Sequence, residues 1–83
     1  MPYIKQDDRR KLNLAPEVRS AKNCGELNYQ ITQLCIEYLQ NNGYRYQQFN
    51  DITGVLENCK LEFYRRKTAP YEDLKIKENG DVY

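Results

Sequence analysis

Apolar residues recur at three- and four-residue steps in two long stretches of the chain, and each stretch reads as one face of an α-helix. In "ELNYQITQLCIEYLQNNG" the repeating residues are Leu27, Ile31, Leu34, Cys35, Tyr38 and Leu39. Asn41, Asn42 and Gly43 close that stretch with residue types that favour helix ends. In "YRYQQFNDITGVLENCKLEFYRRK" the steps are 3, 4, 3 and 4 through Phe49, Ile52, Leu56, Cys59 and Phe63. This is a heptad-like seam on a helix predicted over roughly 45–67, with Phe63 as its last rung and a core residue. Gly54 lies inside it at a cost of about 1 kcal/mol relative to Ala, which suits close approach by a partner helix. Pro70 is predicted to end the run, because the residue before a proline disfavours the αR region.

Shorter elements flank these two. Asp7 and Asp8 precede Arg9, Arg10 and Lys11, an order that suits a short helix whose dipole prefers anions first and cations last. In "APEVRSAKNCG", Pro16 stands like the first residue of a second short helix, with Asn23 and Gly25 as its stop. Alternatively, the two pieces form one broken helix. "PYEDLKIKENGDVY" offers a proline for a helix start, acids in the first turn, and Asn79-Gly80 as a cap before a tail ending in Tyr83. The predicted fold is a single all-α domain over 1–83, an antiparallel hairpin of two long helices with short N- and C-terminal helices packed at its ends.

Length changes this picture first. A chain of 83 residues buries only ~60% of the surface its unfolded form exposes, and is marginal alone. Hydrophobic residues make up 40%, enough for a modest core, and oligomerisation is the expected way to gain more buried area. A homo-oligomer is therefore the predicted state.

Charge comes next. Thirteen basic and 12 acidic residues leave a net charge of +1, without the basic excess of a protein held to nucleic acid through phosphates. The distribution is uneven. Residues 1–24 carry six cations against three anions, giving +3, and residues 68–83 carry two against four, giving −2. The basic front and the acidic tail suit each other within the chain or between subunits.

Catalytic chemistry finds few parts. The sequence has no histidine, which removes the commonest general base and metal ligand. Cys24, Cys35 and Cys59 stand 11 and 24 residues apart, which is no zinc spacing, and the four glycines form no phosphate loop. The adjacent pairs Asp7-Asp8 and Glu72-Asp73 point about 100° apart on a helix and read as dipole partners. The expectation is no enzyme, no metal and no cofactor. An odd number of cysteines, no secretory h-region and no apolar stretch of membrane-spanning length predict a reducing cytosol and no membrane. Cys35 and Cys59 fall on apolar faces and are read as small hydrophobes.

Binding chemistry is better supplied. Eight residues are tyrosine, a side chain that combines apolar area with a hydroxyl at low entropy cost. Of these, Tyr38 falls on a predicted core face, while Tyr29, Tyr44, Tyr46 and Tyr64 look peripheral. They read either as half-exposed packing or as a contact surface for a protein partner, a second subunit or stacked bases. The run Tyr64-Arg65-Arg66-Lys67 has a similar choice. Cations in a last helical turn are favoured by the dipole alone, by about 0.3–1 kcal/mol each. Arg65 and Arg66 are one step apart and are predicted to point in different directions. One would pair with Glu62, or with Glu72 and Asp73 across the Pro70 turn, and the other would be open to phosphate beside Tyr64. The candidate binding residues are Tyr64, Arg65, Arg66, Tyr71, Tyr44, Tyr46, Arg9 and Arg10.

The segments "MPYIKQDDR", "ELNYQITQL", "LEFYRR" and "PYEDLKIKENGDVY" resemble a family of short, uncharacterised proteins from bacteriophages and bacteria. The likeness spans nearly the whole chain and is weakest over 11–24. It implies a small phage-type accessory protein of the bacterial host cytoplasm, and it carries over no catalytic residue or cofactor. The expected function is non-enzymatic antagonism of a host function, host defence included, by binding a host protein or sequestering a small anionic nucleotide. A nucleic-acid-associated regulator using Arg9, Arg10 and Lys11 with Arg65 and Arg66 is the alternative, and a self-assembling structural subunit is a third.

Overall fold

A computed structural model describes residues 4–13 and 20–83. The described helices are α1 (Gln6–Lys11), α2 (Cys24–Asn42), α3 (Tyr46–Phe63) and α4 (Ala69–Asn79), and a π-helical turn, Tyr64–Thr68, joins the last two. The fold is all-α, with no strand among the described residues. The predicted helix beginning at Pro16 falls largely on 14–19 and lies outside the described residues.

Asn23 and Gly25 do not stop a helix, as the sequence had suggested; they start one. The Asn23 side chain accepts a hydrogen bond from the Glu26 N–H at 2.9 Å, and Glu26 Oε1 accepts one from the Lys22 N–H at 3.0 Å. The Glu26 N–H that the helix start leaves orphaned is thereby satisfied, and the Glu26 carboxylate returns a bond to the residue before the cap. Gly25 lies in the first turn that follows. At the other end Gly43 donates its N–H to the Leu39 carbonyl at 2.7 Å and takes φ +108°, ψ 161°. That conformation is open essentially to glycine alone, so Gly43 sets the turn between α2 and α3.

The hairpin closes near this turn. The Tyr38 hydroxyl on α2 donates to Asp51 on α3 at 3.3 Å, and Gln47 Nε2 donates to the other oxygen of the same carboxylate at 2.6 Å. Cys35, Leu39 and Ile52 are half-buried there. Towards the open end the faces separate from cover: Leu27, Ile31 and Leu34 on α2 are exposed, as are Leu56, Cys59 and Phe63 on α3. Among the described residues, no atom outside Gly54's own helix surroundings lies within 4 Å of where a Cβ would stand, so no other described helix approaches it closely.

Pro70 does not end the second long helix. Ala69 holds φ −61°, ψ −47°, and the helix runs on from Tyr46 to Asn79. Thirty-four residues at 1.5 Å each give about 51 Å, in keeping with the molecule's longest dimension of 49 Å. The π turn explains the passage. A proline in a helix removes one N–H and crowds the carbonyl four residues back, here that of Arg66. In the π turn the Ala69 N–H bonds to the Tyr64 carbonyl, five residues back, so the backbone is widened where the ring needs room.

The expected core is also absent. No described residue is buried, and Phe63, read as the last core rung, is 64% exposed. The accessible surface is 7680 Å², whereas a compact monomer of 9.9 kDa exposes about 5200 Å². The radius of gyration, 16.4 Å, exceeds the roughly 12 Å of a compact domain of this length. Two amphipathic helices have formed, and most of their apolar area still faces outward.

Candidate functional site

The end of the long helix carries the densest chemistry, and the π turn organises it. Two regular α-turns span about 7.2 residues, so residues eight apart are normally out of alignment. One widened turn adds the missing residue and stacks Tyr64 over Glu72. The Tyr64 hydroxyl donates to Glu72 Oε1 at 2.5 Å. This is the latch between the aromatic and the acids of "PYED", made along one continuous helix and not across a reversing turn.

Arg65 and Arg66 do not diverge as the sequence had suggested. Arg65 Nη2 and Arg66 Nε both reach Glu62 Oε1, the second at 3.1 Å. Their positions, three and four residues after Glu62, both lie over it, and long side chains reach where adjacent Cβ atoms do not. The Glu62 side chain is only 20% exposed while the arginines are 67% and 58% exposed, so the carboxylate is roofed by its two cations. Each such exposed pair contributes about 0–1 kcal/mol.

Beyond Tyr64 lies an open groove of about 470 Å³, formed where the tail after Gly80 folds beside α4. Tyr64, Glu72, Lys75 and Ile76 form one wall, and Asp81, Val82 and Tyr83 the other. Gly80 takes φ +87° to turn the chain, and the Tyr83 N–H donates to Asp81 at 2.9 Å. Lys75 Nζ sits 5.6 Å from the Tyr71 ring centroid, a cation–π distance, and 3.3 Å from Glu78. The groove therefore sets aromatic and aliphatic groups among two carboxylates and one ammonium, with Val82 and Tyr83 almost fully exposed on the tail side.

The other candidate residues lie elsewhere. Tyr44 and Tyr46 are at the α2–α3 turn, and 18 residues of helix put Tyr46 about 27 Å from Tyr64. Arg9 and Arg10 are on α1, where Arg9 Nε donates to the Ile4 carbonyl at 2.7 Å and Arg10 faces Asp7 at 3.7 Å. That helix packs against no other described helix, so these cations are not gathered with Arg65 and Arg66. The tail residues Asp81, Val82 and Tyr83 were not among the candidates. A helix-ending Asn79-Gly80 pair followed closely by Val82 and Tyr83 was the available sign.

Two tyrosines are set apart electrostatically. Tyr64 is raised above its ordinary 10.0, first by the hydrogen bond to Glu72, then by the negative charge of Glu72, partial desolvation and Asp73. Tyr38 is also raised, first by desolvation and then by Asp51. A raised value means that the folded protein holds the phenolic proton more tightly than the unfolded chain does. The stabilisation is complete below about pH 10 and is lost as pH rises through the higher folded value. In a tyrosinate absorbance titration, Tyr64→Phe and Tyr38→Phe are each expected to remove part of the high-pH end of the rise. If either variant instead removes absorbance centred at or below 10, its bond to the carboxylate is not formed in solution.

Among the described residues, no group of three or more His, Cys, Asp or Glu could hold a metal ion, and no described helix is long and apolar enough to cross a membrane. The fold and this surface define a small all-α protein, an open helical hairpin whose apolar and aromatic side chains lie on its outside. The chain belongs to the family described as a domain of unknown function, DUF6899, which it matches over residues 1–82. No curated protein and no solved structure matches it.

Proposed function

We propose that this chain is a non-enzymatic accessory binding protein that antagonises a bacterial host function by covering a host protein surface. The contact is the groove beside the tail, which Tyr64 lines and which Tyr71 borders through Lys75. One observation carries this reading: aromatic and aliphatic groups are collected on an exposed, partly concave surface, with Glu72, Lys75 and Asp81 among them. Exposed aromatic anchors beside a few charges are the make-up of a protein contact. The likeness to short phage and bacterial proteins supports the setting, a phage-type protein acting in the host cytoplasm.

A host protein is a better fit than a small anionic nucleotide. Arg65 and Arg66 are both engaged with Glu62, and the groove presents Glu72 and Asp81 to any phosphate that enters. Like charge at that distance disfavours the anion.

Affinity capture from bacterial lysate tests the choice. Tyr64→Ala with Tyr71→Ala is expected to lower recovery of the host protein at least about tenfold, the loss expected when aromatic anchors are removed. Arg65→Ala with Arg66→Ala is expected to change it less than about threefold, since rim charges contribute little. Helicity should persist in both variants. Loss of capture only in the arginine variant, with a nucleotide retained by the unmodified protein, would transfer the function to anion sequestration.

A further inference from the structure

The apolar seam on the two long helices is a separate surface from the tail groove, and it has its own requirement for cover. Leu56, Cys59 and Phe63 continue the three- and four-residue steps of α3 beyond the point where α2 leaves it, and Leu27, Ile31 and Leu34 do the same on α2. We propose that these six residues are covered by a second copy of this chain, which completes the core that one copy lacks.

The area identifies the occupant. The surface of 7680 Å² exceeds that of a compact 9.9 kDa monomer by about 2500 Å². An accessory contact of ordinary size removes only about 800 Å² per partner, and surfaces that remove much more belong to obligate assemblies in which folding and association are one event. That excess belongs to the chain as a whole, and a copy of the same chain brings the same uncovered seam, so that a two-fold arrangement covers both at once. Charge sets the orientation: an antiparallel pairing of the long helices keeps the two Arg65–Lys67 runs apart, while a parallel pairing would stack Arg65, Arg66 and Lys67 on their own counterparts.

Sedimentation equilibrium and thermal unfolding of the full chain, each at about 1 and 100 μM, test the proposal. The expected mass is a multiple of 9.9 kDa, and the expected midpoint rises with concentration. Leu56→Asp should lower the oligomer's association constant by at least about 100-fold, since it places a charge in the seam. Leu61→Asp is the control, because Leu61 is exposed and stands about 140° round the helix from Leu56; it should leave the mass unchanged. If Leu56→Asp does not fold, the concentration dependence of the unmodified protein still decides. A 9.9 kDa species with a concentration-independent midpoint overturns the proposal, as does an oligomer whose mass is indifferent to Leu56→Asp.

Discussion

Replacing Gly43 with alanine is expected to cost about 1–3 kcal/mol, and that is a large part of what a helical protein of this size has to lose. The reason is local. Gly43 combines φ +108° with ψ 161°, a region that a Cβ makes strongly unfavourable. Nothing lies within 4 Å of where that Cβ would go, so the penalty is one of backbone conformation and no neighbouring rearrangement can relieve it. Close to this turn the two long helices are joined by the bond from Tyr38 to Asp51. A turn that relaxes to ordinary φ redirects α3 and breaks that bond as well. The measurement is the midpoint of denaturation by circular dichroism at fixed protein concentration. Gly54→Ala is the comparison: it sits mid-helix with open space around it, and is expected to stabilise by up to about 1 kcal/mol. A Gly43→Ala protein as stable as the unmodified one would mean that the turn takes another conformation in solution.

Pro70→Ala is expected to act in the opposite direction on stability and to disrupt the candidate site. In a helix interior, proline is about 3 kcal/mol less favourable than alanine, and the widened turn before Pro70 relieves only part of that. Substitution should raise helicity and stability by about 1–3 kcal/mol. It also removes the reason for the π turn. When Tyr64–Thr68 returns to α geometry, α4 rotates by about 100° relative to α3, and residues eight apart fall about 80° out of alignment. Tyr64 then loses Glu72. In Pro70→Ala, adding Tyr64→Phe should no longer remove the high-pH end of the tyrosinate rise, and recovery of a host partner should fall although the protein is more stable. A less stable Pro70→Ala protein would show that packing, and not the proline, holds the turn open.

These two residues also mark where the sequence was and was not legible. The 3.6-residue periodicity identified α2 and α3, and the Asn42-Gly43 and Asn79-Gly80 pairs identified the ends of α2 and α4, because these signals depend on near neighbours only. The Asn23-x-x-Glu26 cap was equally legible. It was read as a stop because Asn and Gly serve both ends of a helix, and the reciprocal bond to Glu26 separates the two cases. Pro70 misled for a different reason. The rule about the residue before proline assumes α geometry upstream, and no residue pattern in "YRRKT" signals the π turn that lifts the restriction. The arginines were misplaced because Cβ directions were used for side chains long enough to converge on Glu62. The apolar seam was read as a core face of one chain, but amphipathicity says only that a face is apolar and not which molecule covers it. Phe63 became a core residue on paper and an exposed one in a single copy for that reason.

Native mass spectrometry of the protein isolated from a lysate of cells producing it, with helicity followed on dilution, tests the central claim most directly: this chain holds too little core to stand alone and is completed by other molecules. The expected result is a mass at a multiple of 9.9 kDa, with host protein retained on a fraction of it, and helicity that falls as the complex dissociates. A bare 9.9 kDa species that keeps its full helicity at nanomolar concentration would contradict it.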